Sequence, residues 1–489
     1  MNASAAEMIG MLAACGAAAA GLALPARRER TIAMAVAIVA APILVLADVW
    51  NEPRVVDFRD SPAHILAGLV AVVIALAALT WVIRRWPDVL PIAAVAMLPI
   101  RVPLEIGGQT ANLLVPLYLV IASGVLARIL ADRASTDERL ATGGDTWATR
   151  LRYILAIGLV LYALQAAYSE DVSNAVENIG FFLAPFAVLF CLLSEIEWSA
   201  ALLRKVLVAI GVVAVACSVI AIYQYFARDL FLNPELFDSN QLHVYFRVNS
   251  IFFDPNILGR YLALAITAYA AFIAWGAPRR QLFGAAAICA VSLVGLAFSY
   301  SITSFGALLA GLFAIAILRW GVRGLAAAAA FGVIGLVALL VAGGTPHSDI
   351  EDVRSIDAGH SSLIKGGIDL AQDRPVYGWG SGSFGRAFYE RIERARTTVS
   401  HSEPITVAAE QGAIGVVVYL ALLVAAFVAL LGAGARGSPA RSLVGACFVV
   451  MFVDSLGYTG FTTDPALWAL LGIGIALRAK PAAPAPAPA

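Results

Sequence analysis

Charge is scarce in this chain. Only 13% of its 489 residues are Asp, Glu, Lys or Arg, about half the share found in a soluble domain. With 61% hydrophobic residues and a mean hydropathy of +0.84, a soluble globular fold is excluded. Net charge is absent as well, since 33 basic residues balance 33 acidic ones. That removes the electrostatic case for a nucleic-acid partner. Paired cysteine spacing is missing. Cys15, Cys191, Cys217, Cys289 and Cys447 each sit inside an apolar stretch, which reads as small core hydrophobes rather than disulfides or metal ligands. A basic leader is lacking too. Residues 1–25 run into further apolar segments, so they are expected to form the first membrane helix rather than a cleaved signal peptide.

What the chain does have is long apolar runs. A membrane span needs about 20 mostly apolar residues. Such segments fall near 7–25, 31–49, 63–83, 88–104, 112–130, 152–168, 176–194, 203–226, 255–275, 281–300, 302–320, 324–343, 404–432, 441–458 and 464–478. Those at 88–104 and 464–478 are short enough to be re-entrant. The expected fold class is all-α, a polytopic membrane helical bundle of about 12–15 spans. Residues 1–343 read as an N-terminal multi-span bundle, 344–403 as one large loop and 404–480 as the spans that complete the bundle. Residues 481–489 are a Pro/Ala tract, expected to be extended and disordered.

Arginine placement sets the expected orientation. Arg27, Arg28 and Arg30, then Arg84 and Arg85, then Arg133, Arg139 and Arg150 fall in short loops on one side. Arg204/Lys205, Arg279/Arg280, Arg319/Arg323, Arg436/Arg441 and Arg478/Lys480 join them by span counting. The positive-inside rule makes that side cytoplasmic, within the cytoplasmic membrane. The opposite face then holds the longer loops 50–62, 227–254 and 344–403, with all five histidines, His64, His243, His347, His360 and His401. Histidine avoids lipid anywhere, yet the cytoplasmic loops have none. Their spacing is not that of a zinc site.

The loop 344–403 is too long for a passive connector. Ser361 and Ser362 suit the cap of a short helix with Leu363, Ile364, Ile368 and Leu370 on its apolar side. Asp373-Arg374-Pro375 ends it, and a glycine-rich turn from Gly378 to Gly385 follows. A second helix would place Phe384, Ala387, Phe388 and Ile392 together. Both read as short interfacial helices on the extracytoplasmic side. Gly380 to Gly385 fits G-x-G-x-x-G, but no strand precedes it, so no nucleotide site is assigned.

Three runs carry chemistry. Arg247 precedes Phe252-Phe253-Asp254-Pro255-Asn256, where Asp254 suits a helix cap and Pro255 a first turn. Arg260, one turn into that helix, reads either as a structural partner of Asp254 or as a guanidinium fork for phosphate oxygens. Arg354 can supply another fork. The last run is His401-Ser402-Glu403-Pro404-Ile405 followed by Glu410-Gln411-Gly412. His401 at a membrane surface can take a proton near neutral pH, or simply anchor the helix end. Glu410 can orient a polar partner, though a structural hydrogen bond is the reading favoured for it.

Taken together, these runs resemble the O-antigen ligase and O-antigen polymerase family of membrane glycosyltransferases. The family's late signature resembles His401-Ser402, Ile405, Glu410-Gln411-Gly412 and Gly415. Its arginine before an Asp/Asn-Pro-Asn turn resembles Arg247 and Asp254-Pro255-Asn256. Its Pro-aliphatic-x-Gly-x-Gly-x-Gly-x-Phe stretch is similar to Pro375 through Phe384. The likeness covers about 245–465, and earlier residues agree only in hydropathy. One departure stands out. Where the family often has Gly-Arg before the first loop helix, this chain has Gly359-His360, so either His360 takes the polar role or Arg354 substitutes.

The resemblance implies a glycan donor on a polyprenyl (undecaprenyl) diphosphate carrier at the outer leaflet. It implies inverting, metal-independent transfer to a hydroxyl of a glycan or lipid acceptor, with no cofactor, in surface polysaccharide assembly. In that reading His401 and Arg247 are catalytic. Arg354, Arg260, His360, Asp254, Asn256 and Glu410 bind substrate. The alternative is a polytopic transporter of a lipid-linked or small anionic substrate, which many spans and a few buried charges also fit.

Overall fold

A computed structural model describes residues 3–106, 109–132, 146–231, 236–237, 240, 245–324, 326, 350–392 and 400–478. The described chain is a polytopic membrane helical bundle. Ten of its helices are long and apolar enough to cross a membrane, and Val115–Ala131 and Pro465–Arg478 are shorter apolar helices. In chain order the helices are α1 (Ala5–Ala23), α2 (Arg27–Asp48), α3 (Pro53–Arg59), α4 (Pro62–Arg85), α5 (Val89–Ala96), α6 (Val115–Asp132), α7 (Thr146–Ala166), α8 (Val172–Glu177), α9 (Ala184–Ser194) and α10 (Ala200–Ala227). They continue as α11 (Pro255–Ala274), α12 (Arg279–Ser299), α13 (Ile302–Trp320), α14 (Ile350–Asp373), α15 (Phe384–Arg391), α16 (Glu403–Leu431), α17 (Pro439–Ser455) and α18 (Pro465–Arg478). A π-helical turn, Asn178–Leu183, joins α8 to α9 into one span. The expected span 324–343 and the tail 481–489 lie outside the described residues.

The expected spans match these helices closely, with one exception. Residues 88–104 form only the eight-residue α5 and then leave helical geometry. A hairpin follows, β1 (Val102–Ile106) paired antiparallel with β2 (Gln109–Leu113) in the register Val102↔Leu113. Pro99 and Pro103 explain why no helix continues there.

Local chemistry sets the helix starts. Ser4 and Glu7 exchange hydrogen bonds in a capping box at α1. Ser199 and Ser438 accept amide hydrogens at α10 and α17. Small residues bring the helices together, as expected where lipid gives no hydrophobic drive between them. A Cβ on Gly472 of α18 would lie 2.9 Å from the Phe190 carbonyl of α9, and one on Gly311 of α13 would lie 2.5 Å from Val450 of α17.

Two main cores result. The larger gathers α1, α2, α6, α7, α9, α16 and α18 with Leu202 and Val206 of α10 and Val444, Phe448 and Met451 of α17, and the smaller gathers the rest of α10 with α11, α12, α13 and Val450 of α17. The span Val172–Ser194 is 78% buried and α11 is 61% buried, whereas α4 is only 6% buried. The first two are therefore interior columns, and α4 is a peripheral helix suited to face lipid. At the arginine-rich end, Arg30 and Arg128 both pair with Glu195, and Arg152 donates to Ser194 Oγ at 2.8 Å. These arginines close the bundle rather than merely decorate its loops.

Candidate functional site

The site lies at the opposite end, where α11, α16 and the turn 456–464 meet. It starts with the α11 cap. Asp254 Oδ1 accepts from the Asn256 amide at 2.6 Å, and Pro255 fills the first helical position. Asn256 Oδ1 in turn accepts from Arg247 Nη2 at 3.1 Å, while Arg247 Nε donates to the Ser299 carbonyl at 3.1 Å. Buried Phe246 and Val248 flank Arg247, and Asn240 brackets its backbone with two side-chain hydrogen bonds. The arginine is thus held with one edge spent and remains partly exposed. Its Nη1 has no hydrogen-bond partner among the described residues.

Arg260 behaves differently. It is 2% exposed. Its Nε donates to Asp454 at 2.6 Å and its Nη1 to Asp464 at 3.1 Å and the Gly460 carbonyl at 3.2 Å. Its Nη2 donates to the carbonyls of Tyr458 and Thr459 at 2.9 and 3.2 Å. All five donor positions are used, so neither expected reading holds. Asp254 is not its partner, and no fork remains for phosphate. A buried guanidinium must be paired and hydrogen-bonded, and this one is satisfied by residues about 200 positions away.

The turn that receives Arg260 is gripped from its other side by Glu403, which sequence reasoning passed over. Its carboxylate accepts from the amides of Gly460, Phe461 and Thr462 at 2.9, 3.1 and 3.4 Å, and from Thr462 Oγ1 at 3.2 Å. An acidic residue in a first helical turn was the available signal. Tyr458 sits in the middle of the site. Its ring lies 5.5 Å from the Arg260 guanidinium and 5.9 Å from the His401 ring, and its hydroxyl lies beside the Asp254 carboxylate.

His401 is partly exposed and adopts φ +61°. That left-handed conformation is uncommon for a non-glycine residue, though His, Asn and Asp tolerate it best. A hydroxyl cluster braces it. Ser400 Oγ lies 2.9 Å from Thr406 Oγ1 and donates to the Ser402 carbonyl at 2.8 Å. As expected, Pro404 lies in the first turn of α16.

Glu410, Gln411 and Gly412 form a separate construction. Gly412 has φ +63° and breaks α16 internally. The chain after the break bonds outward, with Ala413 N to the Pro375 carbonyl at 2.8 Å. The carbonyls before it accept from the glycine-rich turn, Trp379 N to Ala409 O at 3.0 Å and Gly380 N to Glu410 O at 2.8 Å. The Glu410 carboxylate then takes the amides of Gly382 and Phe384 at 2.8 and 3.2 Å. Glu410 is therefore bound to the turn, whose Trp379, Gly380, Gly382 and Phe384 amides are spent on α16. Gln165 and Tyr168 add hydrogen bonds to the Tyr377 carbonyl at 3.4 and 2.6 Å. Burial raises the Tyr168 phenol above its ordinary pKa.

Trp379 locks the same turn. Arg374 and Arg391 lie 3.7 and 3.9 Å from its ring centroid, its Nε1 donates to the Leu370 carbonyl at 2.9 Å, and Arg391 forks onto Glu170 with two bonds of 2.7 Å.

The loop helices depart from expectation. Ser361 and Ser362 do not cap a helix, because α14 already begins at Ile350. Its buried side carries Gly366, Gly367 and Leu370, while Ile364 and Ile368 are 36% and 43% exposed. Close packing is the cause, since a Cβ on Gly366 or Gly367 would lie 2.4 Å from Phe388 or 2.5 Å from Ile405. Phe384, Ala387 and Phe388 are buried on α15 as expected, but Ile392 is 37% exposed. The backbones of Arg354 and His360 lie on α14; their side chains, and His243 and His347, lie outside the described residues.

The structure thus links Arg247 to Asn256, Asn256 to Asp254, and Asp254 and His401 to Tyr458, ties Arg260 to the turn that carries Tyr458, and commits Glu410 to the glycine-rich turn. No family model matches this chain, and no curated protein matches it.

Proposed function

We propose that this membrane protein transfers a glycan from a polyprenyl (undecaprenyl) diphosphate carrier to an acceptor hydroxyl, with inversion. The observation that carries this reading is the arrangement about the Asp254-Pro255-Asn256 turn. Arg247 bonds it directly, and His401 reaches it through Tyr458. A fixed, partly exposed guanidinium and a fixed imidazole are the two groups the reaction needs. The acceptor oxygen attacks the anomeric carbon as its proton passes to His401. The bond from that carbon to the diphosphate oxygen breaks, and the diphosphate leaves with the electron pair beside Arg247. A leaving group that is already ionised needs neutralising charge rather than a proton. The arginine asymmetry favours an active end facing away from the cytoplasm.

A transporter would share the broken α16. Here the backbone groups freed at Gly412 bond to the chain's own loop, whereas a transporter leaves such groups to its substrate. That favours the enzyme.

The test is transfer by the purified protein in liposomes, using a synthetic polyprenyl diphosphate glycan and a hydroxyl acceptor. Product with inverted anomeric configuration by NMR is expected. Passage of the lipid-linked glycan across the bilayer without any new glycosidic bond would overturn the reading in favour of transport.

A further inference from the structure

Arg101 lies between the end of α5 and the start of β1, outside the region that carries the family likeness. Its Nε is buried without a hydrogen-bond partner. No hydrogen bond or ion pair engages its other two nitrogens among the described residues, and the side chain is partly exposed. Its electrostatic neighbours are Asp464, Tyr118, Tyr458 and Arg260. Those groups are already committed. Arg260 has spent every donor, Asp464 accepts from Arg260 and from the Ala466 amide at 2.8 Å, and Tyr118 donates to the Phe181 carbonyl at 2.7 Å. Arg101 therefore feels a carboxylate nearby but does not bond it. The buried Nε is a donor cut off from water, which costs free energy unless something else accepts from it.

A second observation adjoins the first. An apolar cavity of about 510 Å³ lies between α5, α10, α11, α17 and α18. Val95 and Leu98 line it in the turns just before Arg101, Tyr261 lines it next to Arg260, and Ala466 lines it two residues after Asp464. Arg101 does not itself line the cavity, but the lining residues Leu98, Tyr261 and Ala466 are close in sequence to Arg101, Arg260 and Asp464, and the apolar lining continues from there toward Trp275 and Ser438 at the arginine-rich end. A ligand that is anionic at one end and hydrocarbon at the other fits both parts.

We propose that Arg101 is a further ligand of the lipid diphosphate, with the adjoining part of the isoprenoid chain entering this cavity. The proposal rests on the glycosyl-transfer reading. It gives the site a second guanidinium in place of Arg260. Together with Arg247 it holds the phosphates from two sides, and such forked contacts are specific to arginine.

The experiment measures binding by the full-length protein in nanodiscs, with undecaprenyl diphosphate and inorganic pyrophosphate as probes. Arg101→Gln should weaken both by about tenfold or more, the scale of a lost hydrogen bond to a charged group. Ala265→Leu, which fills the cavity one turn beyond Tyr261, should weaken only the long-chain probe. Wild-type affinity for both probes in folded Arg101→Gln would overturn the proposal while leaving the glycosyl-transfer reading intact. Failure of the wild type to bind either probe would overturn both. Should the glutamine variant fail to fold, Arg101→Lys replaces it, and unchanged affinity there overturns the proposal.

Discussion

Arg260 and Glu403 hold opposite sides of one peptide turn. Arg260 donates to the carbonyls of Tyr458, Thr459 and Gly460, and Glu403 accepts from the amides of Gly460, Phe461 and Thr462. Gly460 is bonded from both directions. The turn carries Tyr458, which touches His401, so a structural ion network sets the geometry of the candidate catalytic group. Replacing Arg260 with glutamine would leave Asp454 and Asp464 without their buried cation. We expect a loss of about 3–5 kcal/mol, the usual cost of breaking such a pair, read as thermal unfolding in detergent. Unchanged stability with lost activity would return Arg260 to the substrate-binding set.

Gly412 permits the break in α16. Any Cβ there would lie 2.5 Å from the Val376 carbonyl group and would have to accept φ +63°. Gly412→Ala should therefore cost roughly 1–3 kcal/mol and loosen the glycine-rich turn. Thermal unfolding and limited proteolysis between Pro375 and Gly385 measure both effects. Wild-type stability and proteolysis would mean that α16 can run straight without the turn.

The spans were legible because lipid demands long apolar runs, and a run announces itself locally. The Asp254 cap and Pro255 were legible for the same reason, since capping spans only a few residues. Arg260 was not. Its carboxylate partners lie 194 and 204 residues on, and no local pattern points to them. The α14 face was misread because Gly366 and Gly367, which add nothing to an apolar stripe, are what the neighbouring helices pack against. Arg101 was passed over because it falls inside an apolar segment read as a span, and only the hairpin after it shows that the span stops short.

Arg247→Lys should fold and insert normally yet lose most transfer. Arg247 reaches the Ser299 carbonyl and Asn256 Oδ1 with two different nitrogens, and a single ammonium cannot hold both while facing a phosphate. A drop of about tenfold or more in kcat/KM matches the loss of a charged hydrogen bond. Full activity in the lysine variant would leave Arg247 only the task of tying Ser299 to the α11 cap.

His401 is the sharpest test, and its backbone decides how to run it. At φ +61° an alanine carries a conformational penalty of its own, so His401→Ala would mix strain with lost chemistry. Asparagine tolerates the left-handed region about as well as histidine. His401→Asn therefore keeps the turn ahead of α16 and still offers hydrogen bonds, but it cannot accept a proton near neutral pH. If His401 is the base, transfer should fall roughly 100-fold or more, with diphosphate binding and thermal stability close to wild type. The pH profile adds a readout that anchoring would not move. The wild-type rate should drop at acid pH, because the protonated ring can no longer take the acceptor's proton. The residual activity of His401→Asn should lack that limb. An asparagine variant that retains full rate with the same pH profile would leave His401 as the residue that shapes the helix entrance and would move the search for the base to another group around Tyr458.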